Sequence, residues 1–253
     1  MNNRPPEFIE PGERIDNLER GGLRIIQNPS FFCFSLDAVL LAHFAPVQNY
    51  DRVMDLCTGS GIIPLLLSTR AKGLKQVGLE LCAETAERAG RSMRLNRLEE
   101  SIEVVNGDVR QVRQLFPTQR FNLVTVNPPY LPLGQGETSG KDARSMARHE
   151  VTLTLAEVVR AAAYLLPTGG RLAMVHRACR LADILITLRE NRLEPKLLRF
   201  VHTKVQAPSS LVLLEAVRDA KPLLKVGVPI YIHKADGTYT CELQELYAGG
   251  ELR

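Results

Sequence analysis

The residues best suited to chemistry stand together at positions 121–130, Phe-Asn-Leu-Val-Thr-Val-Asn-Pro-Pro-Tyr. Leu123, Val124 and Val126 read as a buried strand with β-branched content, and two prolines end it. Proline has no N–H to give a neighbouring strand, so the chain must leave the sheet at Pro128. Asn127, Pro128, Pro129 and Tyr130 are thereby set at the carboxyl end of a strand, the edge where open α/β sheets bind ligands. An amide, a carbonyl and an aromatic face suit a flat molecule carrying an NH2 group.

Three earlier stretches could bring a reactive cofactor to that pocket. Arg52–Leu56 reads as a strand entering Cys57-Thr58-Gly59-Ser60-Gly61 and then a helix from Ile62, where Pro64 is tolerated in the first turn. Strand, glycine turn and helix let backbone approach a nucleotide closely. Residues 76–81 read as a second strand carrying Glu80, an acid about 20 residues past the loop, a distance that suits ribose hydroxyls. Ile102–Asn106 reads as a third, running into Gly107-Asp108. A glycine loop alone is a weak signal, and Glu80 or Asp108 taken singly reads as a solvated acid. Their order, each at the end of a predicted strand and with 127–130 on a fourth, is much harder to obtain by chance.

The elements that must position these groups alternate between strand and helix, the pattern of an α/β fold. Residues 1–30 read as a lead-in broken by prolines and by Gly21-Gly22. Apolar residues at 36, 39, 40 and 44 predict a helix with Ser35 or Asp37 as its N-cap, and a cap alone would account for Asp37. Residues 131–150 form a long loop whose Lys141, Arg144 and Arg148 are candidates to clamp a phosphate backbone; a solvated flap is the bland alternative. A capping box, Thr154 with Glu157, opens the next helix, and Pro167 with Gly169-Gly170 closes it. A strand over 171–176, a helix over Leu181–Glu190 and strands over 197–201 and 211–217 follow, the last two joined as an antiparallel pair. Residues 230–233 and 238–240 flank Asp236-Gly237, a hairpin signal.

Composition bounds the rest. The 253 residues are 45% hydrophobic and 24% charged, the profile of a soluble globular enzyme, with a net charge of +4 that permits an anionic partner without demanding one. No apolar run is long enough to span a bilayer, and the first residues lack the core of a signal peptide. Five cysteines include no Cys-x-x-Cys pair. A reduced cytoplasmic protein with no bound metal is expected. One domain over 31–220 is expected, with a lead-in over 1–30 and a hairpin decoration over 221–253.

Residues 55–61, Glu80, Gly107-Asp108 and 127–130 together resemble the Rossmann-like, S-adenosylmethionine-dependent methyltransferases that modify exocyclic or amide nitrogens. The chain is further similar to the bacterial adenine-N6 methyltransferases that act on valine tRNA beside the anticodon. That likeness rests on residues 18–27 leading to 34–42, Arg148-His149-Glu150, and the tail over 231–247. The resemblance implies a seven-stranded, mostly parallel sheet whose last strand is antiparallel, S-adenosylmethionine as cofactor and tRNA as partner. It implies that Asp55, Gly59 and Gly61, with Thr58 in the same loop, cradle the methionine end of the cofactor. Glu80 would hold the ribose, and Asp108 the adenine amino group. Phe34 and Asp37 would cover the cofactor, and Asn127 would face both cofactor and target base, with Tyr130 on the base. Cys57 departs from the family pattern, where glycine is commoner. The N5-glutamine methyltransferases of release factors share Asn-Pro-Pro-Tyr but carry a helical domain in front, for which the lead-in leaves no room. Methylation of a glutamine amide is the alternative enzyme reading, and an RNA-binding module with an inert pocket is the alternative outside enzymes. A nicotinamide dehydrogenase fits less well, because Gly-x-Gly-x-x-Gly is absent from residues 57–67.

Overall fold

The computed structural model describes residues 8–31, 33–118, 120–129 and 153–247. It opens with two short strands, β1 (Arg14–Asn17) and β2 (Arg24–Gln27), paired antiparallel. The lead-in is therefore a folded hairpin, and burial is what holds it. Ile25 and Ile26 are fully buried, and the Ile26 N–H donates to Ser92 Oγ at 3.0 Å. Just before β1, Glu13 accepts from Arg88 at 2.7 Å and from Arg91 at 2.5 Å. Burial alone would raise the Glu13 carboxyl. Arg91, the Glu10 N–H and Arg88 outweigh it and hold the group at about 2.

Helix α1 (Leu36–Phe44) follows, with Ser35 at the N-cap position but making no side-chain cap bond. Asp37 lies in the first turn and is not the cap. The chain continues through β3 (Arg52–Leu56), α2 (Ile62–Leu67), β4 (Lys75–Glu80), α3 (Ala83–Leu95), β5 (Ile102–Asn106) and α4 (Val112–Leu115). Then come β6 (Leu123–Val126), α5 (Leu155–Leu165), β7 (Arg171–Arg177), α6 (Leu181–Glu190), β8 (Leu193–Lys204) and β9 (Ser209–Arg218). The tail holds β10 (Lys225–Val226), β11 (Ile230–His233) and α7 (Cys241–Tyr247). The capping box at α5 forms as its spacing predicts, with the Thr154 N–H donating to Glu157 Oε2 at 2.8 Å and the Glu157 N–H to Thr154 Oγ1 at 3.3 Å. Among the described residues no helix is long and apolar enough to cross a membrane.

The main sheet runs β5-β4-β3-β6-β7-β9-β8, and only β9 is antiparallel to its neighbours. These are the seven strands expected. Two short strands add to them, since β10 and β11 both pair in parallel with successive stretches of β8, giving nine in all. The tail is thus a correction to the hairpin expected there. Its turn survives, with Gly237 at φ +84 and one antiparallel bridge between His233 and Tyr239. β11 itself pairs with the open edge of β8 and buries Ile230 and Ile232.

Alternation along the strands sorts the core into two layers, as the pleat requires. Val53, Leu123, Ala173, Val175 and Leu213 join α1, α2 and α7 on one face, while Met54, Leu56, Val124, Val126, Leu172 and Met174 join α5 and α6 on the other. The chain lays down β3, β4 and β5 in one direction, then returns to place β6 on the other side of β3. The gap between the ends of β3 and β6 is the switch point at which such sheets take ligands.

Candidate active site

The floor of that crevice is one cross-strand pair. Asp55 on β3 and Thr125 on β6 stand opposite each other, and the Thr125 hydroxyl donates to Asp55 Oδ1 at 2.6 Å. Both side chains are buried. On the other flank of β3, Gly78 is the partner of Asp55, and its missing side chain makes room for Thr58, whose Cγ2 and Oγ1 lie 2.8 Å from where a Cβ would sit. Burial pushes the Asp55 carboxyl up to about 7; the Thr125 and Thr58 hydroxyls restrain the rise, and the Glu80 carboxylate adds to it. Asp55 Oδ2 and Thr58 Oγ1 are buried with no hydrogen-bond partner among the described residues.

Above the floor the loop turns sharply. Cys57, Gly59 and Gly61 all take positive φ, at +58, +55 and +81. A side chain at Gly61 would meet Met93 Cε at 2.4 Å, so that glycine is needed for α2 to pack on α3. At Gly59 the same position meets nothing within 4 Å, which leaves the backbone open toward the crevice. Cys57 is in the left-handed region without the freedom of glycine, the strained turn its departure from the family pattern implies. Its thiol is pushed up by burial and by the carboxylates of Glu80, Asp55 and Asp108, so three acids converge around this loop.

Glu80 ends β4 and is bound on both oxygens: Oε2 accepts the Gly59 N–H at 2.9 Å and Oε1 the Cys82 N–H at 2.9 Å. Asp108 caps a short 3₁₀ turn after β5 by accepting the Arg110 N–H at 2.8 Å, and the Arg110 guanidinium, bonded to both its oxygens, holds the carboxyl below its usual range. Asn127 follows β6 half-buried, with Pro128 buried and Pro129 exposed. Phe34 packs on the core and lines an ~80 Å³ cavity with Val39, His43 and Ile62, the residue after Gly61. Asp37 is half-buried at the start of α1. Tyr130, Lys141, Arg144 and Arg148 lie outside the described residues.

Sequence reasoning missed two features here. Thr125 is hidden inside an ordinary strand, and only its register with Asp55 reveals it. His176, two residues past the Met174 that pairs with Val126, lies near the end of β7 on the same edge of the sheet as Asn127. Burial, then the nearby Arg180, push its imidazole down to about 4, and its Nδ1 accepts the Arg177 N–H at 2.8 Å. It is a neutral, fixed ring rather than a proton carrier at neutral pH.

Residues 23–189 match the methyltransferase small domain family. The chain belongs to that family. The tRNA1(Val) (adenine(37)-N6)-methyltransferase of Aeromonas hydrophila is 30% identical over 81% of this chain and 84% of its own length. The protein of the same name from Porphyromonas gingivalis is 30% identical over 83% of this chain and 85% of its own. A solved structure from Agrobacterium tumefaciens, described as a predicted O-methyltransferase, superposes with a TM-score of 0.69 over 86% of this chain and 98% of that one at 22% identity. The methyltransferase's crevice suits a cationic nucleoside donor on its own terms. It offers an open backbone at Gly59, carboxylates for hydroxyls and amines, and two orphaned polar atoms at Asp55 and Thr58 that a bound polar group would satisfy.

Proposed function

We propose that this methyltransferase transfers a methyl group from S-adenosylmethionine to the exocyclic N6 of an adenine in tRNA, beside the anticodon of a valine tRNA. One observation carries the reading: the run Asn127-Pro128-Pro129 leaves β6 at the switch point, directly beside the acid-lined glycine loop. The curated relatives from two distant bacteria are named for this reaction, which supports it further. The substrate is found in the cytoplasm.

The bound cofactor would supply a methyl carbon made electrophilic by its sulfonium. Asp55, Thr58, Gly59 and Gly61 hold its amino-acid end, Glu80 its ribose hydroxyls and Asp108 its adenine, with Phe34 and Asp37 covering it. The acceptor nitrogen is a poor nucleophile, because its lone pair is delocalised into the ring. Asn127 Oδ1 and the Pro128 carbonyl accept its two N–H bonds, which favours a pyramidal nitrogen with its lone pair aimed across the crevice. The same two dipoles would stabilise the positive charge that develops on nitrogen. Tyr130 stacks on the base, worth roughly 1–3 kcal/mol. No strong base is required, since the product ammonium sheds its proton readily. Pro128 and Pro129 stiffen the turn, which helps hold the acceptor at attack distance. Lys141, Arg144 and Arg148 grip the phosphates around the flipped base. An anticodon-loop base is already unpaired, which lowers the cost of extruding it.

The test is purified protein with methyl-labelled S-adenosylmethionine and, in parallel, an unmodified valine tRNA transcript or a release factor, followed by mass spectrometry of the nucleosides and of the protein. N6-methyladenosine is expected. Label on a release-factor glutamine instead, or no label on RNA, overturns the reading.

A further inference from the structure

We propose that the outer carboxyl edge of the sheet, where β7, β8 and β11 end, is the platform on which the RNA around the target base is laid. The inference rests on the functional reading above and assigns that substrate a docking surface. β6 and β7 are parallel, β7 and β8 are both antiparallel to β9, and β11 is parallel to β8. The ends of β6, β7, β8 and β11 therefore lie along one edge, reaching outward from Asn127 by four strand spacings, about 19 Å.

The side chains presented there are those that single-stranded nucleic acid selects. Arg177 closes β7, Lys204 closes β8 and Lys234 follows β11, all exposed. Neither lysine forms an ion pair among the described residues. Two aromatic pairs lie on the same edge. His202 and Tyr231, partners across β8 and β11, have ring centres 5.3 Å apart, and His233 and Tyr239 stack with centres 5.3 Å apart at 20°. Tyr239 is 41% exposed and closes the tail turn beside Lys234. The nearby acids are engaged: Asp236 accepts the Thr238 N–H and hydroxyl, Asp183 pairs with Arg180, and Glu242 with Arg199. Cations on both faces of the edge with π faces beside them suit a backbone while tolerating any base, and the edge begins at the proposed reaction site. An apolar peptide would have no use for the row of cations.

The experiment compares wild type with Lys204→Ala/Lys234→Ala, Tyr239→Ala and Tyr239→Phe, using the valine tRNA transcript. For the double lysine variant, KM for tRNA should rise about tenfold, the slope of log affinity against log salt should fall by roughly 1.4–1.8, and kcat at saturating tRNA should stay within twofold. Tyr239→Ala should raise KM several-fold and Tyr239→Phe should restore it. Cofactor affinity and melting temperature serve as folding controls. Wild type that methylates tRNA while all variants keep its KM and salt slope overturns the platform alone. Wild type that transfers no methyl to RNA overturns the functional reading and the platform with it.

Discussion

The two halves of the sheet's carboxyl edge are built on opposite plans. Where β3, β4 and β5 end, polar groups are buried or half-buried and tied down: Asp55 to Thr125, both Glu80 oxygens to backbone N–H groups, and Asp108 to Arg110. Where β7, β8 and β11 end, the surface carries exposed cations and paired aromatic rings. The first plan suits a small, rigid, cationic ligand that must be held in one pose. The second suits a large polyanion that contributes its own shape. Between them Asn127 and Pro128 belong to neither, since in the proposed reaction they would touch the reacting atom rather than the bulk of either reactant.

That division is open to measurement. Replacing Asn127 with alanine should have the largest effect, lowering kcat by about 10²–10³-fold while cofactor affinity, measured calorimetrically, stays within twofold. An equal loss of cofactor affinity would erase the boundary between the halves. Glu80→Ala acts on the inner half: it removes a carboxylate and also releases the Gly59 and Cys82 N–H groups. Cofactor affinity should fall about 30-fold, some 2 kcal/mol, with KM for tRNA unchanged at saturating cofactor.

Asp55 gives a smaller effect with a defined sign. Its carboxyl is raised to about 7 in the folded chain. Between its ordinary value near 4 and that point the folded state keeps a proton that the unfolded state has lost. Stability from this group therefore falls as pH rises through that window. A cationic ligand favours the ionised form, so cofactor binding should release a proton below pH 7 and be about tenfold weaker at pH 6 than at pH 8. Titration calorimetry in buffers of different ionisation enthalpy measures both quantities. Pairing to the cation competes there with Glu80, the other carboxylate acting on Asp55. Binding that ignores pH would show that Asp55 stays neutral with the cofactor in place.

The smallest expected change is at Cys57, whose φ of +58 is costly for any residue with a Cβ. Cys57→Gly should stabilise the fold by about 0.5–1 kcal/mol, the strain relief being partly offset by added freedom in the unfolded chain. Thermal unfolding checks it. A loss of stability would mean that packing of the thiol outweighs the strain.

Much of the inner half was legible along the chain. Arg52–Leu56 and Ile102–Asn106 have the bounds read from the sequence, Gly59 and Gly61 adopt the left-handed turn, and the chain leaves β6 before Pro128. These are nearest-neighbour effects: φ limits, missing donors and side-chain alternation are properties of a few consecutive residues. What depends on pairing between distant segments was read less well. Nothing local says that β1 and β2 bury Ile25 and Ile26 against α3, or that β11 prefers the edge of β8 to its own hairpin partner. Thr125 meets Asp55 across 70 residues of chain, and only the pairing of β6 with β7 puts His176 on the edge where Asn127 lies. The sequence by itself determined which residues could hold a donor and an amine, because those choices are chemical and local. Only the tertiary structure decided which strands stand side by side, because register and edge pairing are won by burial between distant segments, and no short stretch contains both partners.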